Sequence, residues 1–332
     1  MNFAENRYET MKYNRCGKSG LKLPAIAFGC WHNFGEMTDP QESRRMLHRA
    51  LDLGITHFDL ANNYGPPPGA AETLTGKILS EDFAAHRDEL IISTKAGYLM
   101  GPGPYGEWGS RKNLLASLDQ SLKRLRLEYV DIFYSHRPDP ETPLEETIGA
   151  LHTAVTRGKA LYAGISNYGA AESIHAARLA SGLRLPLVIN QLSYSLLNRG
   201  IEQDVLPALK EIGMGVIAFC PLGKGLLTSR YFNGIPADSR AAAGGPFLKP
   251  AAVKPQIMAV VKRLNEIAGR RGQTMAQMAL AWVLRNDRVI SALIGASRTS
   301  QIEENVAALK NTSFTVEEIG EIDGVLQSSD QT

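Results

Sequence analysis

At 332 residues, 44% hydrophobic and 21% charged, the chain has the composition of a folded globular protein, long enough for one large α/β barrel or two medium domains. Its 36 basic and 34 acidic residues leave a formal net charge of +2, so neither nucleic acid nor an anionic membrane is expected as the main partner, and a small ligand is. Three cysteines, Cys16, Cys30 and Cys220, are too few and too scattered for a disulfide framework or a paired-cysteine zinc site, which points to a reducing cytosol and gives no basis for a metal.

The opening stretch, MNFAENRYETMKYNRCG, has no long apolar core behind a basic end, and no run of eighteen apolar residues occurs later. Neither export nor membrane insertion is expected, and the expected location is cytoplasmic. Residues 10–23 carry a Gly-Lys-Ser-Gly turn and predict a small β-hairpin, placed to close the bottom of a barrel.

Short apolar runs rich in β-branched and aromatic residues then recur: 25–31, 55–61, 90–97, 130–137, 160–167, 187–194, 214–223 and 289–297. The first seven start 27 to 40 residues apart, enough for a strand, a loop and a helix, and the last gap is 75. Between them, Leu114, Leu118, Leu122 and Leu125 form one apolar line, as do Leu144, Ile148, Leu151 and Val155. The second helix has legible ends: Thr142 as cap, Pro143 at the first helical position, Glu145 completing a capping box, and Gly158 in the left-handed terminating position. TMAQMALAWVLRN predicts an additional helix before the last strand.

Eight strand–helix units predict a (β/α)₈ TIM barrel with an N-terminal β-hairpin and additional helices, in one domain spanning 1–332. The competing open, doubly wound sheet normally carries a glycine-rich G-x-G-x-x-G turn after its first strand, and here the first strand ends instead in FGCWHNFGE. Two stretches exceed the barrel plan, residues 97–110 and roughly 224–253. Their Gly and Pro density, and their place after strands, predict irregular loops acting as lids over the mouth.

Aligned on their C-terminal ends, the second, third and fourth strands carry Asp59, Lys95 and His136, and Tyr64 follows Asp59 in a loop with three consecutive prolines. A barrel brings all four to one rim. Any one alone reads as an ordinary rim or packing residue; four different ionisable types together point to chemistry.

On these residues the chain resembles the aldo-keto reductases across essentially its whole length. Asp59-x-Ala61, Tyr64-Gly65, Glu72, the Lys95 strand and the His136 strand match that family's pattern. So do GISN (164–167), NQLSYSLLNR (190–199), PLGKGLL (221–227) and IGASRTSQIEENVAAL (294–309). NNYGPPPGAAE is particularly similar to the branch holding potassium-channel β subunits and bacterial L-glyceraldehyde 3-phosphate reductases.

The resemblance implies NADPH-dependent reduction of small aldehydes, L-glyceraldehyde 3-phosphate or methylglyoxal-like compounds among them. Tyr64 would be the proton donor, with its pKa lowered by Lys95, while Asp59 holds Lys95 charged and a neutral His136 donates to the carbonyl oxygen. For the cofactor it implies contacts from Trp31, Asp59, Ser166, Asn167 and Gln191, with Tyr194 stacked on the nicotinamide. It also implies contacts from Pro221, Leu222, Gly225 and Leu226, and from Gly295, Ser297, Arg298, Gln301, Glu304 and Asn305. Arg298 at a helix start suits a 2′-phosphate, hence NADP. Ile302, Val306 and Leu309 form that helix's apolar line. Arg137, Arg199 and Lys224 lie near predicted rim loops and are candidates for an anionic substrate.

The chain departs from many relatives in carrying Asp59-Leu60-Ala61 where they have Asp-Thr-Ala, and in its PPPGA insertion before Glu72. A nicotinamide-binding, redox-sensing regulatory subunit is the alternative that the branch implies. A Schiff-base aldolase using Lys95 is a third class. A homo-oligomer is compatible with the resemblance.

Overall fold

The computed structural model describes residues 3–237, 239, 241, 242, 244 and 248–327. Eight parallel strands close into a barrel: β3 (Ile26–Gly29), β4 (His57–Asp59), β5 (Ile91–Ala96), β6 (Val130–Ser135), β7 (Ala160–Ser166), β8 (Leu187–Ser193), β9 (Gly215–Phe219) and β10 (Val289–Ile294), with β10 pairing back onto β3. Each lies within one of the eight predicted apolar runs. The hairpin is β1 (Tyr13–Arg15) paired antiparallel with β2 (Lys22–Pro24).

The hairpin is the barrel's floor. Cys16, Leu21 and Leu23 pack with Ile132, Tyr134, Ile189 and Ile217 in one buried cluster. Because side chains alternate along a strand, that cluster marks Ile132 and Tyr134 as the inward face of β6, and Ile217 and therefore Phe219 as that of β9; on β8 the bond from Gln191 to the buried Asp59 marks Gln191, and therefore Ile189, as inward.

Helices α1 (Pro40–Asp52), α2 (Ala70–Asp82), α3 (Arg111–Leu125), α4 (Leu144–Thr156), α5 (Ala170–Gly182), α6 (Val205–Ile212), α7 (Pro255–Arg270), α8 (Met275–Leu284), α9 (Thr299–Val306) and α10 (Val316–Gln327) surround it. The apolar line on α3 is buried along its length, each leucine contributing roughly 1.5–3 kcal/mol. On α4, Ile148 and Leu151 are buried, while Leu144 and Val155 are partly so.

The predicted start of α4 is corrected. Pro143 occupies the cap position and no side chain caps it. Asp139 takes the backbone N–H groups of Glu141 (2.9 Å) and Thr142 (3.2 Å), so the chain turns on an aspartate before the threonine is reached. The other end is as read: Gly158 has φ 69°. The additional helix before the last strand is α8, whose Thr274–Gln277 pair forms a capping box.

Glu72 is fully buried on α2 and accepts from Thr94 Oγ1 (2.5 Å) on β5 and from Arg124 Nε (2.7 Å) on α3. It ties the helix behind the Tyr64 loop to the strand carrying Lys95. Residues 97–110 are irregular, as expected. The second expected long loop contains short 3₁₀ turns at Gly223–Gly225, Ser229–Tyr231 and Pro250–Ala252; its residues 238, 240, 243 and 245–247 lie outside the described residues.

Candidate active site

Asp59 closes β4, and Lys95 lies one residue short of the end of β5, with both side chains fully buried. Lys95 Nζ donates to Asp59 Oδ2 (2.5 Å) and to the Leu60 carbonyl (2.6 Å). The other carboxylate oxygen accepts from Ser93 Oγ (2.7 Å) and Gln191 Nε2 (3.1 Å). Burial pulls the Lys95 pKa below its ordinary value, and Asp59 opposes that shift.

Beneath this pair, His57 Nε2 lies 2.9 Å from Ser93 Oγ. A hydroxyl has one proton, and Ser93 gives it to the acceptor-only carboxylate; Nε2 therefore carries hydrogen and donates to Ser93. His57 Nδ1 is left as a buried acceptor with no partner. Its ring is held neutral, burial pushing the pKa down to about 4.

That shift has a stability consequence. The folded state prefers neutral His57, so its contribution is complete above the unfolded value near 6.5 and is lost as pH falls from there toward 4. His136, also pushed down by burial, acts in the same direction. Urea unfolding across that window is expected to show up to about 3 kcal/mol lost through His57, and His57→Asn is expected to flatten the slope. A flat stability profile between pH 6.5 and 4.5 in the unmodified protein would refute this.

Tyr64 is fixed through its backbone. Its carbonyl accepts from Gly69 N (3.0 Å) and Ala71 N (3.3 Å) at the start of α2, and its N–H donates to Ala61 O (3.1 Å). Gly65 has φ 157°, and a Cβ there would meet the Pro67 carbonyl at 1.9 Å, so no larger residue fits the turn after the phenol.

The Tyr64 ring has Lys95 Nζ over it, 5.1 Å from the centroid, the Trp31 ring at 5.7 Å and the His136 ring at 5.9 Å. Tyr98 stands edge-on to His136 at 4.6 Å. Burial, reinforced by the nearby Lys95 and Arg137 charges, holds His136 neutral. Asn167 Nδ2 donates to the His136 carbonyl (3.1 Å) and to Ser166 Oγ (3.1 Å).

The four candidate groups thus meet at one mouth, but one expectation about them is reversed. Lys95 is expected from the sequence to lower the phenol's pKa; in the structure burial first, and the Asp59 charge next, raise it well above its ordinary value. Lys95 directs its ammonium to Asp59 and Leu60 and presents itself to the ring face. Tyr64 is a neutral phenol, the protonation state a proton donor requires.

Of the expected cofactor residues, Trp31, Ser166, Asn167 and Gln191 join this cluster. Ser166 Oγ donates to Gln191 O (2.9 Å), and Gln191, with its amide nitrogen committed to Asp59, keeps its side-chain oxygen as an acceptor. The exposed Asn167 has likewise committed both hydrogens of its amide nitrogen, so its oxygen and that of Gln191 form an acceptor pair fitted to the amide N–H groups of a carboxamide.

Tyr194 departs from its expected place. It lies three residues beyond Gln191, hence on the opposite face of the strand, and its fully buried ring packs on Trp282 at 5.3 Å. Its hydroxyl lies 2.5 Å from Glu202 Oε1 and accepts from Arg285 (3.1 Å). A ring with no accessible surface offers no face to a ligand. The aromatic residue that parity sends into the mouth is Phe219, half-buried at the end of β9.

Past β9, Pro221 and Leu226 are buried and Leu222 and Gly225 half-buried around a turn in which Gly223, Lys224 and Gly225 all have positive φ. At α9, Gly295, Ser297 and Arg298 are exposed. Gln301 Oε1 accepts from Ser297 N (2.8 Å) and Ser297 Oγ (3.2 Å), standing where an anion's oxygen would sit, and Arg298 Nε reaches Ser300 Oγ (3.1 Å). Ile302 and Val306 are buried and Leu309 partly so, as predicted. Glu304 is exposed; Asn305, expected on the same polar line, is buried. Asn33 donates to the Ala296 carbonyl and so ties this segment to the loop after Trp31.

Sequence reasoning missed Ser93 and His57. The usable signal was parity, since each stands two residues before a candidate and so shares its inward face. Of the three rim cations, Arg199 is tied to Glu202 (2.7 Å) and Asp323 (2.6 Å), Lys224 is exposed, and Arg137 adjoins His136.

The sequence profile of the Aldo/keto reductase family matches residues 25–327. The chain is 57% identical over 321 residues to the L-glyceraldehyde 3-phosphate reductase of Escherichia coli (strain K12), covering 96% of this chain and 93% of that protein. It is 37% identical over 303 residues to a probable voltage-gated potassium channel subunit beta of Arabidopsis thaliana (90% and 91% covered). It is 36% identical over 323 residues to one of Oryza sativa subsp. japonica (96% and 97%).

Proposed function

The chain belongs to the aldo/keto reductase family, and on that premise we propose that it reduces small aldehydes to alcohols with NADPH, Tyr64 donating the proton. The observation carrying this reading is the neutral Tyr64 phenol held at the mouth beside neutral His136 and above the buried Lys95–Asp59 pair. A bound reduced nicotinamide supplies hydride to the carbonyl carbon.

The chain's own groups then act on the oxygen. As negative charge grows there, His136 offers an N–H and Tyr64 transfers its phenolic proton, and the resulting phenolate is stabilised by the ammonium of Lys95. Asp59, fixed by Ser93 and Gln191, keeps that ammonium charged and aimed. Ser166, Asn167 and Gln191 bind the carboxamide, and Phe219, in place of Tyr194, supplies the ring face. The L-glyceraldehyde 3-phosphate reductase relative supports a short, phosphorylated aldehyde as substrate. A Schiff-base role for Lys95 is disfavoured, because its amine is fully buried and donates to a carboxylate and a carbonyl.

The test is oxidation of NADPH and of NADH with a panel of short aldehydes. NADPH is expected to be the better donor, and Arg298→Ala is expected to reduce that preference roughly 10-fold through the lost charged hydrogen bond. Tight dinucleotide retention with no turnover on any aldehyde would overturn the reductase reading in favour of a regulatory subunit.

A further inference from the structure

Arg137 follows His136 directly, where β6 gives way to its loop. Its guanidinium carbon lies over two aromatic rings, 3.6 Å from the Trp108 ring centroid and 4.3 Å from that of Tyr98. Nε donates to the Gly97 carbonyl (3.2 Å), and Nη2 pairs with the Glu107 carboxylate. Nη1 makes no hydrogen bond to any described residue.

The Tyr98 ring packed on this guanidinium is the one edge-on to His136. The cation is therefore one aromatic ring away from the imidazole at the reacting centre. Contact with two rings and the Nε bond to Gly97 orient the fork before any ligand arrives, which lowers the ordering cost of binding. Glu107, on the irregular loop 97–110 and partly exposed, is a tethered anion on an exchangeable donor.

We propose that Arg137 is the recognition site for the phosphate of a phosphorylated short-chain aldehyde, with Glu107 occupying it as an internal placeholder that the substrate displaces. This rests on the aldehyde-reductase reading and specifies its substrate class. A dianionic phosphate outcompetes a single carboxylate for a guanidinium because it brings more charge and a second acceptor oxygen for a bidentate contact. Displaced Glu107 carries its loop segment outward, while Trp108, whose backbone N–H is bonded to Gly97 O (3.0 Å), keeps its ring contact with Arg137. A guanidinium serving only to clamp that loop would treat charged and uncharged substrates alike.

The test is steady-state kinetics on glyceraldehyde 3-phosphate and on unphosphorylated glyceraldehyde for the unmodified protein, Arg137→Gln and Glu107→Gln, with inorganic phosphate as a competitive probe. In Arg137→Gln the ratio of kcat/KM for the phosphorylated over the unphosphorylated aldehyde is expected to fall roughly 30- to 100-fold, through KM, with weaker inhibition by phosphate. In Glu107→Gln that ratio is expected to rise about 3- to 10-fold as the competing carboxylate is removed. Proportional loss on both substrates in Arg137→Gln overturns the proposal and leaves the reductase reading standing. Should Arg137→Gln fail to fold, an unchanged ratio in Glu107→Gln overturns it. Failure of the unmodified protein to reduce either aldehyde overturns the underlying reading instead.

Discussion

Replacing Tyr64 by phenylalanine is expected to lower kcat about 10³-fold, the scale of a lost general acid, while leaving the folded protein intact. The ring's neighbours, Trp31, His136 and the Lys95 ammonium, contact its face and edges and are all retained by phenylalanine. The hydroxyl itself donates to no described residue, so its removal strands no buried partner. Turnover measured beside the thermal midpoint separates the two effects: a variant with an unchanged midpoint and kcat within tenfold of the unmodified protein would remove Tyr64 from its role.

The Lys95–Asp59 pair is expected to behave differently, because it is structural and chemical at once. Lys95→Met deletes the ammonium and leaves a fully buried carboxylate with only Ser93 and Gln191 as donors. Stability is expected to fall by about 3–5 kcal/mol, the usual cost of orphaning one member of a buried ion pair. The double change Lys95→Met with Asp59→Leu is expected to recover most of that stability and none of the activity, since apolar replacement of both partners removes the stranded charge but not the need for it. Denaturant unfolding of the two single variants and the double variant closes the cycle. A Lys95→Met protein that unfolds at the original midpoint would show that the pair carries no net strain when broken.

The barrel was legible because its strands announce themselves twice, by β-branched apolar runs and by their even spacing, and because Asp59, Lys95 and His136 each sit where such a run ends. The misreadings have two causes, an environment that local sequence does not carry and, at Tyr194, a parity signal that was overridden. Thr142 was a good capping residue in the right place, but Asp139 turned the chain first. Tyr194 was an aromatic at a strand end whose parity with Gln191 places it on the outer face, a clue present in the sequence and outweighed by the resemblance. The sign of the Tyr64 shift needed the three-dimensional fact that Lys95 spends its charge on Asp59. The Arg137 ring contacts needed Tyr98 and Trp108, ten residues apart in an irregular loop, to be seen closing on one cation.

The floor formed by Cys16, Leu21 and Leu23 bears on how the interior meets solvent. A chamber sealed at its base exchanges with bulk water through the rim alone, so whatever covers the rim also governs how quickly the inner histidine, serine and carboxylate gain or lose protons. Trimming the first two dozen residues would open a second entrance behind the reacting groups, and the dry surroundings on which their unusual proton affinities depend would fill from below.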